Sequence, residues 1–166
     1  TVDIVPYDPA WPTSFVDLAN EIRAAIGEQV LLLEHVGSTS VPGLAAKPVI
    51  DIVLAVTDAA HERAYVPALE QRGFVLRIRE PDWFEHRMFK TPRHAGNLHV
   101  FSDRCDEIQR MLVFRDCLRT HDADRELYET TKRRLAAKVW QDIQHYADAK
   151  TLVVQEILTR AMPRLP

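Results

Sequence analysis

The chain has 166 residues, of which 46% are hydrophobic and 27% charged, the make-up of a single folded domain with a sizeable core. Twenty-four acidic residues stand against 21 basic ones, a formal charge of −3, which argues against a whole surface given to nucleic acid or an anionic membrane but leaves room for a local basic pocket. No apolar run approaches the roughly 18 residues of a spanning helix, and the start TVDIVPYDPAW lacks the basic-then-apolar layout of a secretion signal, so a cytoplasmic location is expected. Cys105 and Cys117 are the two cysteines, with no C-x-x-C, and predict neither a disulfide scaffold nor a structural zinc finger.

In chain order, Asp8-Pro9 predicts a helix start, because Asp can cap free N–H groups and Pro is tolerated at the first helical position. Trp11, Phe15, Leu18, Ile22 and Ile26 follow at helical spacing, and Gly27 is the expected stop. Val30 to Val36 reads as a strand, the turn-rich GSTSVPGLAAKP as a loop, and Val49 to Val56 as a strand buried on both faces. A helical segment is expected from Asp58 to Arg72, with Pro67 starting or kinking its second part and Gly73 ending it. Phe74 to Ile78, Met88 to Lys90 and Leu98 to Phe101 predict three more strands, separated by turns around Pro81, Pro92 and Gly96.

From Asp103 the composition shifts to helix formers. Ile108, Met111, Leu112 and Leu118 predict one buried helix face, Leu127, Thr131 and Leu135 a second, and Val153, Ile157 and Ala161 a third on a helix capped near Asp148. Trp11, Trp83 and Trp140 lack a stacking interval and read as packing. The expected class is α+β: a mixed sheet preceded by one helix, with residues 1–102 as the core of a single 1–166 domain and 103–166 as a helical appendage.

Chemistry concentrates in Glu34 to Val56, EHVGSTSVPGLAAKPVIDIVLAV. Gly37 directly after a strand permits a tight turn, and Ser38, Thr39 and Ser40 supply hydroxyls and amides that suit phosphate oxygens; the alternative is an ordinary turn. Asp51 shares a strand face with Val49, Val53 and Ala55, opposite Ile50, Ile52, Leu54 and Val56. Burying that carboxylate alone would cost several kcal/mol, so it should line a cleft, meet a cation, or pair with Lys47 or an arginine. Lys47 could also neutralise a bound phosphate, although Gly37, Gly43 and Lys47 do not fit a P-loop. No serine stands in G-x-S-x-G, which argues against an acyl hydrolase.

The segments PYDPAW, EHVGSTSVPGLAAKPVIDI, NLHVF and FRDCLR, in this order and spacing, resemble the GrpB family, whose fold is similar to that of the polymerase-β-type nucleotidyltransferases. The resemblance implies a nucleotidyltransferase-like fold, phosphate contact at Gly37 and Ser38, and a metal-holding carboxylate at Asp51. Two departures accompany it. The position two after Asp51, where a second acid would help chelate metal, is Val53, and the later strand offers His99, beside Asn97, where a third acid is expected. Asp51 with His99 would favour a transition ion over Mg²⁺, and Glu85 and His86 could complete the site. His99 has the alternative of a half-buried histidine bonded to a carbonyl.

Arg115 and Arg119, and likewise Tyr128 and Lys132, lie four apart on helix faces and could close over an acidic ligand, with solvated surface the competing reading for Lys132 and Arg133. The expected function is therefore binding of a nucleotide or other phosphorylated small molecule with a divalent cation (Mg²⁺, Mn²⁺ or Zn²⁺), extended to nucleotidyl transfer if catalytic. The alternative is an inactive binding or accessory module, since GrpB-like domains also occur fused to dephospho-CoA kinase. A metal-dependent hydrolase using Asp51, Glu85 and His99 is the third reading.

Overall fold

A computed structural model describes residues 3–137 and 143–162. Helix α1 (Trp11–Ile26) begins two residues later than Asp8-Pro9 suggests. The Asp8 side chain accepts from the Ala10 N–H at 2.8 Å, which closes a preceding turn, and Ala10 stands at the cap with Pro12 in the first turn. Gly27 ends the helix at φ 51° as expected.

Strand β1 (Leu32–Val36) leads through the 3₁₀ turn Ser38–Ser40 to β2 (Ile50–Val56). The predicted 58–72 helix is two short pieces, Glu62–Ala64 as one 3₁₀ turn and α2 (Val66–Gln71). Pro67 sits in α2's first turn, where its missing N–H costs nothing, so it starts the second piece. Strands β3 (Val75–Glu80), β4 (His86–Lys90) and β5 (Gly96–Ser102) follow, then helices α3 (Asp106–Thr120), α4 (Asp122–Ala136) and α5 (Ile143–Ala161).

The α+β class and the mixed sheet are as expected. The sheet order is β1-β2-β5-β4-β3, with β2 and β5 parallel and the other pairs antiparallel. Alternation along β2 divides the core as the sequence predicts. Ile50, Ile52, Leu54 and Val56 join Leu98 and Phe89 under α1 and α2, while Val53 and Ala55 join Val36, Phe101 and Ile108 beneath α3. Asp51 therefore emerges on the α3 face, at the end of β2 nearest the 37–40 turn.

Helices α3 to α5 form their own cluster of Val113, Cys117, Leu118, Tyr128, Val153 and Ile157, into which Val41 and Leu44 of the β1–β2 loop insert. The loop is thus anchored by its apolar half while its polar half stays beside Asp51. Two details differ from the sequence reading. The buried face of α4 runs through Asp124, Tyr128, Lys132 and Leu135 instead of Leu127 and Thr131, because polar residues on that face have partners inside. Asp148 lies within α5 rather than at its cap. Trp11 is buried as packing predicts, whereas Trp83 is 40% exposed with its ring edge against His86 and Phe101. Trp140 lies outside the described residues.

Candidate active site

A cleft of about 200 Å³ opens where β2 and β5 meet the turn after β1, lined by Ser38, Thr39, Lys47, Asp51, Asn97, Lys132 and Lys150 together with Ile4 and Val49. One carboxylate and three lysines share it. Asp51 reaches it because β2 is registered against Val36 of β1 and Asn97 of β5, and the Asn97 amide nitrogen donates to Asp51 Oδ1 at 3.3 Å.

Gly37 makes room for that carboxylate. It adopts φ +74°, a region that penalises side chains, and a Cβ on it would lie 2.7 Å from Asp51 Oδ2. The following turn closes through the Ser40 N–H donating to Gly37 O and the Val41 N–H donating to Ser38 O. Thr39 is buried, and its hydroxyl donates to Val49 O at 3.0 Å while accepting from His35 Nε2 at 3.0 Å. Burial holds the His35 pKa down to about 4, so at neutral pH it is an uncharged strut, stacked on Phe15 of α1.

Apart from Lys47 of the β1–β2 loop, the basic side of the cleft comes from α4 and α5. Lys132 is 2% exposed and donates to Ser38 Oγ at 2.9 Å and to Ala45 O at 3.0 Å, with its ammonium 4.8 Å from the centre of the Tyr128 ring. Glu129 accepts from the Ala45 N–H at 2.7 Å, so one turn of α4 grips both backbone groups of one loop residue. Burial first, and then the nearby Lys150 ammonium, pull the Lys132 pKa down to about 7.

Four residues expected to contact phosphate, Gly37, Ser40, Arg115 and Arg119, stand outside this lining, and Gly37 instead makes room for Asp51. Arg119 donates twice to Ser40 O, at 3.0 and 2.9 Å. Arg115 is engaged with Glu34, Asp116 and His35 O, and the Ser40 hydroxyl donates to Gly37 O. Arg119 spends donors on the loop and Arg115 on β1 and on its helix neighbour Asp116, so the arginines brace the turn from behind. The face spacing was legible, but the groups addressed are carbonyls and acids of the chain itself.

On the sheet side, β5 and β4 carry a chain of polar contacts. His99 Nε2 lies 3.5 Å from Asp51 Oδ1, His99 Nδ1 lies 3.0 Å from His86 Nε2, and His86 Nδ1 lies 2.7 Å from Glu80 Oε1. Register explains the line, because Met88 pairs with His99, Glu80 pairs with His86, and alternation puts His86 on the face of Met88. Burial lowers the His86 pKa, which keeps that ring neutral. The donor order that satisfies both rings runs from His86 Nδ1–H to Glu80 and from His99 Nδ1–H to His86 Nε2. In that tautomer His99 turns the Nε2 lone pair toward the Asp51 oxygen. Two facing acceptors suit a cation between them, so the donor set fits a single divalent ion of the zinc or manganese kind better than hard Mg²⁺.

Glu85 does not join them. It follows Phe84 in a turn in which both residues have positive φ, and its carboxylate faces Arg87 at 3.7 Å. The expected trio of Asp51, His99 and Glu85 is therefore a pair, with His86 and Glu80 behind it. Val53, at the place of a second acid, is fully buried under α3. Sequence reasoning missed Glu80 and Lys150, whose roles depend on the β3–β4 register and on the docking of α5.

The chain resembles proteins of several bacteria along most of its length. It is 57% identical to a UPF0157 protein of Halalkalibacterium halodurans over 161 residues, 97% of this chain and 83% of that one. A dephospho-CoA kinase of Mycolicibacterium paratuberculosis is 28% identical over 186 residues, and the match takes in 96% of this chain but 46% of the kinase. Among solved structures, the conserved protein GrpB from Enterococcus faecalis superposes with a TM-score of 0.81 at 31% identity, covering 95% of this chain and 98% of that one. The sequence profile of the family described as GrpB protein matches residues 1–160, and the chain belongs to that family.

Proposed function

We propose that the cleft binds a nucleotide or other phosphorylated small molecule together with one divalent cation. The observation that carries this reading is the meeting of Lys47, Lys132 and Lys150 with Asp51 around the Ser38 turn. A phosphate group would bring negative charge to the lysines that line the cleft, and the buried Lys132, whose ammonium burial disfavours, is the one that gains most from such a partner. Asp51 Oδ1 and His99 Nε2 would hold the cation, which when bound supplies Lewis-acid polarisation of a phosphoryl oxygen. Ser38 and the lysines would orient the phosphates, and Asn97 steadies Asp51. The resemblance to nucleotidyltransferases extends the reading to transfer of a nucleotidyl group from a nucleoside triphosphate, in which an acceptor oxygen attacks the α-phosphorus and pyrophosphate leaves.

The test is thermal unfolding of the full chain with nucleoside triphosphates and Mg²⁺, Mn²⁺ or Zn²⁺. Saturating ligand raises the melting temperature by mass action, and Asp51→Asn removes the metal-dependent part of the rise. A flat profile with all three ions would overturn the proposal. The buried Val53 favours a second reading, a binding or accessory module without turnover, because one carboxylate cannot bridge two metals. Pyrophosphate release that disappears in Asp51→Asn would reject this second reading, and binding without release would reject transfer.

A further inference from the structure

A second group of ligating side chains sits where α3, α4 and α5 meet. Cys117 lies in the last turn of α3, His121 is the single residue between α3 and α4, and Asp124 lies in the first turn of α4. A sulfur, a ring nitrogen and a carboxylate oxygen from these three residues lie within 4.8 Å of one another, the only such trio among the described residues.

Local hydrogen bonds define the state of each group. Thr120 donates its hydroxyl hydrogen to Asp116 O at 2.7 Å, so at 2.9 Å from His121 Nδ1 it accepts, and the same nitrogen faces Cys117 O at 3.2 Å. Nδ1 thus carries the proton and Nε2 the lone pair, the tautomer in which imidazole binds a metal. Arg160 fixes Asp124 Oδ1 at 2.8 Å, while Oδ2 accepts from the Cys117 thiol at 3.3 Å. A carboxylate 2% exposed and held by an outer cation is how an oriented metal ligand is built. Beside it lies a cavity of about 310 Å³ lined by Cys117 and His121.

We propose that Cys117, His121 and Asp124 form a zinc site distinct from the cleft at Asp51, with the fourth position open to this cavity and filled by water. A thiolate with one imidazole and one carboxylate suits Zn²⁺ and disfavours Mg²⁺ and Ca²⁺. Binding replaces the thiol proton, which leaves to solvent, and changes no oxidation state. The ion would pin the end of α3 to the start of α4 and, through Arg160, to α5, the two helices that bring Lys132 and Lys150 to the cleft.

The experiment is Co²⁺ titration of the full chain after chelation. One equivalent should produce a thiolate-to-cobalt charge-transfer band that Zn²⁺ abolishes. Cys117→Ser loses the band, His121→Gln weakens binding by more than the ~10–100-fold that loss of an outer partner costs, and Cys105→Ser and Asp51→Asn keep it. A parent chain without the band, or a band that survives Cys117→Ser or vanishes in Cys105→Ser, overturns the site. If Cys117→Ser does not fold, His121→Gln decides, since unchanged cobalt affinity there has the same consequence. The Asp51→Asn control separates this outcome from failure of the cleft.

Discussion

The two walls of the cleft differ in sign and in depth. The sheet wall offers Asp51 and His99, whose side chains remain 32% and 21% exposed, fixed by strand register. The helical wall offers Lys132, almost entirely buried and held by Ser38 Oγ and Ala45 O. Water screens the acid but hardly reaches the base. The helical wall therefore carries its charge at a desolvation cost that a bound anion would offset.

The largest way to break this contrast is Lys132→Met, which keeps the length of the side chain and removes the ammonium. The Lys132 pKa is about 7 in the folded chain against 10.5 ordinarily. Between those values the unfolded chain binds a proton there that the folded chain does not, so stability rises with pH across the window, by up to about 5 kcal/mol. Below pH 7 both states are protonated and the contribution is constant. Urea unfolding from pH 6 to 10.5 should show this rise in the parent relative to the variant, and equal slopes would refute the buried-charge account. Since phosphate favours the ammonium, triphosphate affinity in the parent should also fall above pH 7 more steeply than in Lys132→Met.

Next in size is Gly37→Ala, which strikes the sheet wall. A Cβ at φ +74° strains the backbone and meets Asp51 Oδ2 at 2.7 Å and Asp51 Cβ at 3.1 Å, so the carboxylate must move. We expect a loss of ~2–4 kcal/mol in denaturant unfolding together with weaker metal binding. A variant with parental stability and metal affinity would mean that Asp51 does not need this close approach.

Much of the sheet wall was legible in the sequence because it depends on period-2 alternation and one loop. The split of Ile50, Ile52, Leu54 and Val56 from Asp51, Val53 and Ala55 needs no tertiary information, and the glycine just after a strand marks a tight turn, although its close approach to Asp51 emerges only from the β1–β2 register. The helical wall was legible only as spacing. Arg115 and Arg119 do share a face, as do Tyr128 and Lys132, but what each side chain meets depends on how α3 and α4 dock. There the loop's own carbonyls claim the guanidinium of Arg119 and the ammonium of Lys132 alike. Glu85 failed for a local reason, since two consecutive residues at positive φ break the alternation just before β4. Glu80 took the position behind His86 through a cross-strand pairing that sequence distance conceals.

Glu80→Gln gives the smallest and most specific effect, because it leaves every residue lining the cleft in place. Glu80 Oε1 accepts from His86 Nδ1 at 2.7 Å, and His86 Nε2 faces His99 Nδ1 at 3.0 Å. A neutral amide can still accept that first hydrogen bond, but it polarises the two rings less than a carboxylate does, and His99 Nε2 becomes a poorer donor to a cation. Glu80 is thus a positioning residue, and its loss should lower metal affinity by ~10-fold, the scale of an outer-shell partner, while triphosphate affinity without metal stays at the parental value. Lys132→Met should do the reverse, weakening triphosphate binding with or without metal and leaving metal affinity alone. Calorimetric titration of both variants with Mn²⁺ and with triphosphate separates the two walls. A Glu80→Gln variant that binds Mn²⁺ like the parent would confine the cation site to Asp51 and His99, with the line of rings behind them serving only the packing of β3 against β4.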